Sequence, residues 1–179
     1  MIEKLPRYVL IFVLLIVAQV LVFNRVHISG FLNAYPYVLF LLILPSDTNR
    51  ALLLLLAFVG GITVDIFSDS GGVHAAACLP LAYMRHFMLS TTTSLESKND
   101  SFEPNLYYFD FRRYLTYAGV LILVHHSIVC FIEVFEFSHI FSTLLKIIGS
   151  TVFTLTFVVL IQYIFFKKRI LTNINANFI

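Results

Sequence analysis

The chain has 179 residues, of which 59% are hydrophobic and only 12% are charged, and its net charge is +2. A mean hydropathy of +0.90 excludes an ordinary soluble domain, because a chain of this length could not bury so much apolar surface away from water. The basic residues are scattered along the sequence, which argues against a nucleic-acid partner. The composition therefore predicts a membrane protein.

Six apolar segments are candidates for membrane helices, since a helix needs about 17–25 apolar residues to cross the hydrocarbon. In chain order they cover residues 5–23, 31–44, 51–67, 73–89, 114–131 and 147–166. The second segment is short, and we expect it either to run close to perpendicular or to start in the headgroups at Tyr35 and Tyr37. The first is too long for a signal peptide, and no small-residue cleavage site follows it.

The distribution of basic residues predicts the orientation, because cytoplasmic loops are enriched in Lys and Arg. If all six segments cross with the N-terminus inside, ten of the twelve basic residues lie on the cytoplasmic side, and only Arg25 and Lys146 lie outside. If the second segment did not cross, this bias would disappear. We therefore predict an all-α membrane protein of six transmembrane helices, with both termini cytoplasmic and residues 1–179 forming one domain.

Polar residues end the first predicted helix at Gln19, Asn24 and Arg25. Gln19 is expected to hydrogen-bond to a neighbouring helix, because polar side chains in membrane segments usually face the protein interior. Arg25 lies on the side with few basic residues. Its position suggests an acidic partner, either Asp65 or Asp69 of this chain or an acid of another protein.

The stretch "DIFSDSGGVH", residues 65–74, joins the third and fourth predicted helices. Glycine and the short polar residues predict a turn, in which Gly72 allows the chain to reverse. Asp65 ends one helix and His74 begins the next, so we expect His74 or Arg25 to be the partner of Asp65. Because an amide can still hydrogen-bond, Asp65→Asn is expected to be tolerated.

Three interpretations of this turn stay open: a structural tie between helix ends, a contact with a partner protein, and a catalytic or metal site. Catalysis would need a nucleophile with a base, or a full ligand set. Gly61 and Ala76 favour the structural interpretation, because small residues let membrane helices approach closely.

A second polar stretch, "HHSIVCFIE" at residues 125–133, places His126, Cys130 and Glu133 on one helix face. That face resembles part of a zinc ligand set, but no fourth ligand of regular spacing accompanies it. We expect instead that His125 or His126 hydrogen-bonds within the bundle and that Cys130 packs. Neither stretch predicts a catalytic, cofactor or metal site.

Three motifs together resemble the bacterial rod shape-determining protein MreD family. They are "QVLVFNRVHISG", "PYVLFLLILPSDTNR" and "GITVDIFSDSGGVHAAA", in this order. The resemblance implies a multi-pass, non-enzymatic scaffold without a cofactor, in the bacterial inner membrane, that serves cell shape and peptidoglycan elongation. It also implies association with an MreC-like single-pass protein, with the cell-wall synthase complex and, indirectly, with the actin-like MreB.

The same resemblance implies a fold and a set of residue roles. The six helices would be similar to the substrate-binding subunits of vitamin transporters. The residues with expected structural or partner-facing roles are Gln19, Asn24, Arg25, Asp65, Gly72 and His74.

The alternative function is a small-solute transporter or its membrane-embedded binding subunit. A buried cavity lined by Gln19, Asp65, His125 and His126 would favour that alternative. A flat, apolar, lipid-facing groove of small residues would favour the scaffold.

Overall fold

The computed structural model describes residues 5–25, 32–92, 101–134 and 140–165. These residues form six α-helices and no β-sheet, which confirms the all-α prediction. A π-helical turn, Gln19–Phe23, continues the first helix, and a 3₁₀ turn, Pro36–Val38, leads into the second. The helices are α1 (Leu5–Ala18), α2 (Leu39–Ile43), α3 (Arg50–Ser68), α4 (Val73–Thr92), α5 (Phe111–Val134) and α6 (Ile140–Phe165).

Among the described residues, four helical stretches are long and apolar enough to cross a membrane, as expected of a multi-pass membrane protein: Pro6–Phe23, α3, α5 and α6. α4 has a similar length of 20 residues, but it is less apolar because it carries His74, Arg85 and His86. Large apolar side chains are exposed along these helices, among them Leu10 and Ile66. Such a surface is stable against lipid and not against water.

One end of the bundle is closed by the segment that precedes α5, and we call it the Glu103 end. Arg7 and Tyr8, at the start of α1, donate to the Glu103 carboxylate at 3.1 and 2.7 Å. The amide of Ser46 donates to the Phe102 carbonyl at 2.8 Å. The start of α1 and the turn before α3 therefore lie at the same end.

The opposite end, which we call the Ser68 end, joins the end of α1 to the end of α3, and the chain that follows contacts the first half of α6. Asn24 Nδ2 donates to Ser68 Oγ at 2.8 Å, and the amide of Asn33 donates to Ser150 Oγ at 3.1 Å. The chain segment that contains α2 therefore begins near the Ser68 end and finishes near the Glu103 end.

The helix in that segment is much shorter than the sequence predicts. Helical structure covers only residues 36–43, which at about 1.5 Å per residue spans less than half of a hydrocarbon core of about 30 Å. Tyr35 and Tyr37 are buried, with 7% and 3% of their surface exposed, so their side chains contact other parts of the bundle. Their depth in the membrane stays a prediction.

α3 and α4 pack closely at a glycine, as the sequence predicts, but against a different alanine. A Cβ atom added to Gly61 would lie 2.4 Å from Ala75 Cα and 2.8 Å from the His74 carbonyl carbon. Ala75 is buried, whereas Ala76 is exposed. The close approach therefore involves main-chain atoms of α4, which cannot move aside as a flexible side chain would.

Gly61→Ala should destabilise the protein through this contact. An overpacked core costs about 1–3 kcal/mol, which outweighs the gain of about 1 kcal/mol that alanine brings to a helix. The matched control is Gly119→Ala, whose new Cβ would meet only the Leu155 side chain at 3.8 Å. We expect a lower melting temperature and less protein in the membrane for Gly61→Ala. Equal melting temperatures for the two variants would contradict the close approach.

Candidate functional site

Residues 32–49, which we call the second segment, carry main-chain groups outside regular helix in the interior of the bundle. Inside a membrane such groups must find partners within the protein, because no water or second strand is available. Buried polar side chains from the five other helices lie in this interior. They include Gln19, Asp65, His74, Arg85, His125, His126 and Thr154.

The histidine–tyrosine cluster surrounds the start of the second segment, and the hydroxyl of Tyr37 lies at its centre. This oxygen is 2.7 Å from His125 Nε2, 3.2 Å from His74 Nδ1 and 3.3 Å from Cys78 Sγ. The His74 and His125 rings are stacked with centroids 5.9 Å apart. Three helical segments of the chain therefore meet at one phenol.

More than one proton arrangement satisfies this hydroxyl completely, because the two histidines can exchange the roles of donor and acceptor. A phenol has one proton to donate and two lone pairs to accept with. In one arrangement, the Nε2–H of His125 and the S–H of Cys78 donate to Tyr37, and Tyr37 donates to His74 Nδ1. His125 Nδ1 has no partner among the described residues, and in this arrangement it carries a lone pair and not an N–H. The cluster is thus a closed network with no free position for a ligand at the hydroxyl.

Hydroxyl groups of α6 bind the amides that precede α2. Thr154 Oγ1 accepts from the Tyr35 amide at 3.0 Å and lies 2.8 Å from His126 Nε2. The Tyr35 ring stacks on His126 with centroids 5.1 Å apart. These contacts explain why a histidine and a threonine are buried in otherwise apolar helices.

The polar residues at the end of α1 extend this network. Gln19 Nε2 donates to the Ala34 carbonyl at 3.1 Å and to Asn24 Oδ1 at 2.9 Å, so Gln19 bonds to a neighbouring non-helical segment and not to the neighbouring helix that was expected. Arg25 is exposed, and its side chain has no ion pair with Asp65 or Asp69 in the part of the chain that the structure describes. The expected pairing of Arg25 with Asp65 is therefore wrong.

Asp65 caps the start of α4. Its two carboxylate oxygens accept from the amides of His74 and Ala75 at 2.9 and 2.8 Å and from the Ser70 hydroxyl at 2.5 Å. The partner is the His74 main chain and not the imidazole, which faces Tyr37. A carboxylate at a helix start is favourable because free N–H groups and the helix dipole meet it there.

Gly72 gives the turn its shape, as the sequence predicts. Its φ of +97° and the φ of +62° at Gly71 are conformations that residues with a side chain rarely adopt. This turn brings the first amides of α4 onto the Asp65 carboxylate.

The arginine cluster lies at the other end of α2. Arg85 of α4 is 1% exposed and donates to the carbonyls of Leu44 and Pro45 and, through Nε, to Tyr117 Oη at 3.2 Å. Tyr117 donates in turn to the Leu42 carbonyl at 2.9 Å. A cation at a helix C-terminus satisfies free carbonyls and complements the helix dipole.

The charge distribution does not predict this role, because it places Arg85 among the ten basic residues on the cytoplasmic side. Its position could have indicated the role, because an arginine within an apolar membrane segment usually binds a partner inside the protein.

The suspected zinc face on α5 does not converge. His126 bonds to Thr154, Cys130 is a buried free thiol, and Glu133 pairs with Lys146 of α6 at 2.8 Å. Among the described residues no group of three metal-binding side chains could hold an ion.

Asp65→Asn should now be destabilising, contrary to the sequence-based expectation. Both carboxylate oxygens accept main-chain N–H groups, so an amide would direct its NH₂ at one donor and leave it unpaired, at about 1–3 kcal/mol. Asp69→Asn is the matched control, because Asp69 is exposed and its φ of +53° suits asparagine. We expect thermal unfolding to start earlier only for Asp65→Asn. Equal effects of both substitutions would reject the capping role.

Comparison of the chain with models of known protein families, with curated protein sequences and with solved structures finds no match. The geometry of the described residues and the motif resemblance are therefore the basis for a functional proposal.

Proposed function

We propose that the protein is a non-enzymatic scaffold of the peptidoglycan elongation machinery in the bacterial inner membrane, of the MreD type. The observation that carries the proposal is that side chains of the three motifs hydrogen-bond to other groups of the bundle. Gln19, Asn24 and Asp65 bind neighbouring main-chain or hydroxyl groups, and the Tyr37 hydroxyl of the second motif is saturated. Side chains engaged in this way hold a shape and are not available to a substrate.

The partners follow from the resemblance and stay part of the proposal. An MreC-like single-pass protein would bind directly, and the cell-wall synthase complex and MreB would be reached through it. Many buried polar side chains bond within the bundle, although Gln19 Oε1, His125 Nδ1 and His126 Nδ1 have no partner among the described residues. We therefore place the contact with other proteins on the surface of the domain.

Two clefts of the described residues bear on the choice between the scaffold and the transporter, and neither is the flat groove of small residues expected of a scaffold. One, of about 180 Å³, lies between α1 and α3 and is lined mainly by large apolar residues such as Phe12 and Phe40. The other, of about 540 Å³, lies between α3 and α4. Neither is lined by Gln19, Asp65, His125 or His126, the residues that a solute-binding cavity was expected to use.

The proposed topology has six crossings and cytoplasmic termini. Ten of the twelve basic residues are on the cytoplasmic side in this arrangement, and the hydrogen bonds at the two ends of the bundle agree with a second segment that runs from one end to the other. Both termini lie outside the described residues, as do five of the cations in that count, Lys4, Lys98, Lys167, Lys168 and Arg169.

Cysteine labelling tests the topology. In a variant with Cys78 and Cys130 changed to Ala, Arg25→Cys should react with an impermeant thiol reagent in intact spheroplasts, and Ser101→Cys should react only after lysis. Both positions are exposed, so access depends on the side of the membrane. Without a crossing by the second segment, residues 25 and 101 would lie on one side, and equal labelling would reject the six-crossing arrangement.

Depletion in the native host tests the function. If the protein is a scaffold of wall elongation, depleted cells should become round and should no longer incorporate a fluorescent D-amino acid into the side wall. Their nutrient uptake should be unchanged. Re-expressed variants then separate structure from chemistry: for Tyr37→Phe and Asp65→Asn, cell shape should follow the amount of protein in the membrane.

Two results would contradict the proposal. The first is normal shape with loss of uptake of one solute, which would decide for the transporter. The second is Tyr37→Phe protein at full abundance that no longer supports rod shape, which would point to chemistry at the histidine–tyrosine cluster.

A further inference from the structure

The cleft between α3 and α4 opens at the Glu103 end of the bundle, where α3 begins and α4 ends. Its volume is about 540 Å³. Arg50 and His86 form its polar part, and both side chains are exposed. Leu53, Tyr83 and Phe87 belong to its apolar walls.

The polar part of the cleft contains basic groups that face each other. Arg50 Nη2 lies 2.7 Å from His86 Nε2, so the guanidinium donates to a neutral imidazole. The lining of the cleft includes no Asp or Glu, and no carboxylate of the described residues forms an ion pair with Arg50. The cation is therefore held beside a weak acceptor, and an anion would be a stronger partner for its fork of donors.

The apolar part of the cleft faces lipid. Tyr83 and Phe87 lie four residues apart on α4 and are 76% and 63% exposed. Aromatic side chains at this level of a membrane helix are typical of the boundary between headgroups and acyl chains. One cleft thus joins a site for an anion to a surface for hydrocarbon.

We propose that this cleft binds an anionic phospholipid, with Arg50 and His86 on the headgroup phosphate and the α4 aromatics along the first part of the acyl chains. Basic pockets between membrane helices on the cytoplasmic side are suited to anionic headgroups. A free phosphate shares the chemistry of the polar part, but it would leave the apolar walls and most of the volume unused. The proposal requires only that the chain lies in a membrane, and it does not depend on the role in wall elongation.

Native mass spectrometry of the full chain in detergent tests the proposal. The probes are dioleoyl phosphatidylglycerol, dioleoyl phosphatidylcholine and inorganic phosphate. We expect the first to bind most tightly, and Arg50→Gln to weaken it about tenfold, because a hydrogen bond to a charged group contributes about 1.5 kcal/mol or more. His86→Gln, on the other helix, should weaken it in the same direction.

The matched control is Arg112→Gln, an exposed arginine at the start of α5 that does not line the cleft. It should leave lipid binding unchanged, and all three variants should keep the melting temperature of the parent. If Arg112→Gln weakened phosphatidylglycerol binding equally, the lipid would be attracted by the overall surface charge and not by the cleft. That result would overturn the site. Equal binding of phosphatidylcholine, or of inorganic phosphate, would overturn the anionic-lipid assignment.

Discussion

The structure depends on one constraint, which is that the main-chain groups of an interrupted membrane segment must all be bonded inside the protein. An unpaired N–H or C=O group in hydrocarbon costs several kcal/mol. The second segment has helix only at residues 36–43, so both of its ends expose such groups. Side chains of other helices hydrogen-bond to the main-chain groups at each end. These bonds fix where the other helices lie around the second segment.

The two ends of α2 differ in chemistry, although at the first end Gln19 also donates to the Ala34 carbonyl. Before α2, Thr154 and Ser150 of α6 accept from the amides of Tyr35 and Asn33. After α2, Arg85 and Tyr117 donate to carbonyls. Hydroxyl groups suffice where lone pairs are needed, whereas a guanidinium presents several donors at once. This difference explains why the partners of the buried Arg85 are main-chain carbonyls and not a carboxylate.

The sequence predicts what depends on hydropathy and local turn chemistry. The all-α class, the turn at Gly72 and an internal hydrogen bond from Gln19 all follow from such signals. The partners of Asp65 and Arg85 do not, because they are main-chain groups, and a sequence does not show which main-chain groups lack a bond. The short α2 was missed for a related reason: residues 31–44 are apolar enough for a membrane helix, and enclosure by other helices removes the need for one.

Three buried polar side chains of the bundle interior are held in several internal hydrogen bonds each, and this bears on where a ligand could bind. Tyr37, Asp65 and Arg85 each bind several groups at once, so a ligand could reach them only by displacing structural bonds. The end surfaces are different, since Arg50 is exposed and pairs only with a neutral imidazole. Arg85 is bonded inside the bundle, whereas Arg50 at the end surface is accessible. This distribution of charge agrees with the proposal that the protein acts by contact with lipids and other proteins. The buried histidines, the most suggestive residues in the sequence, belong to the same internal network through Tyr37 and Thr154, although the Nδ1 atoms of His125 and His126 have no partner among the described residues.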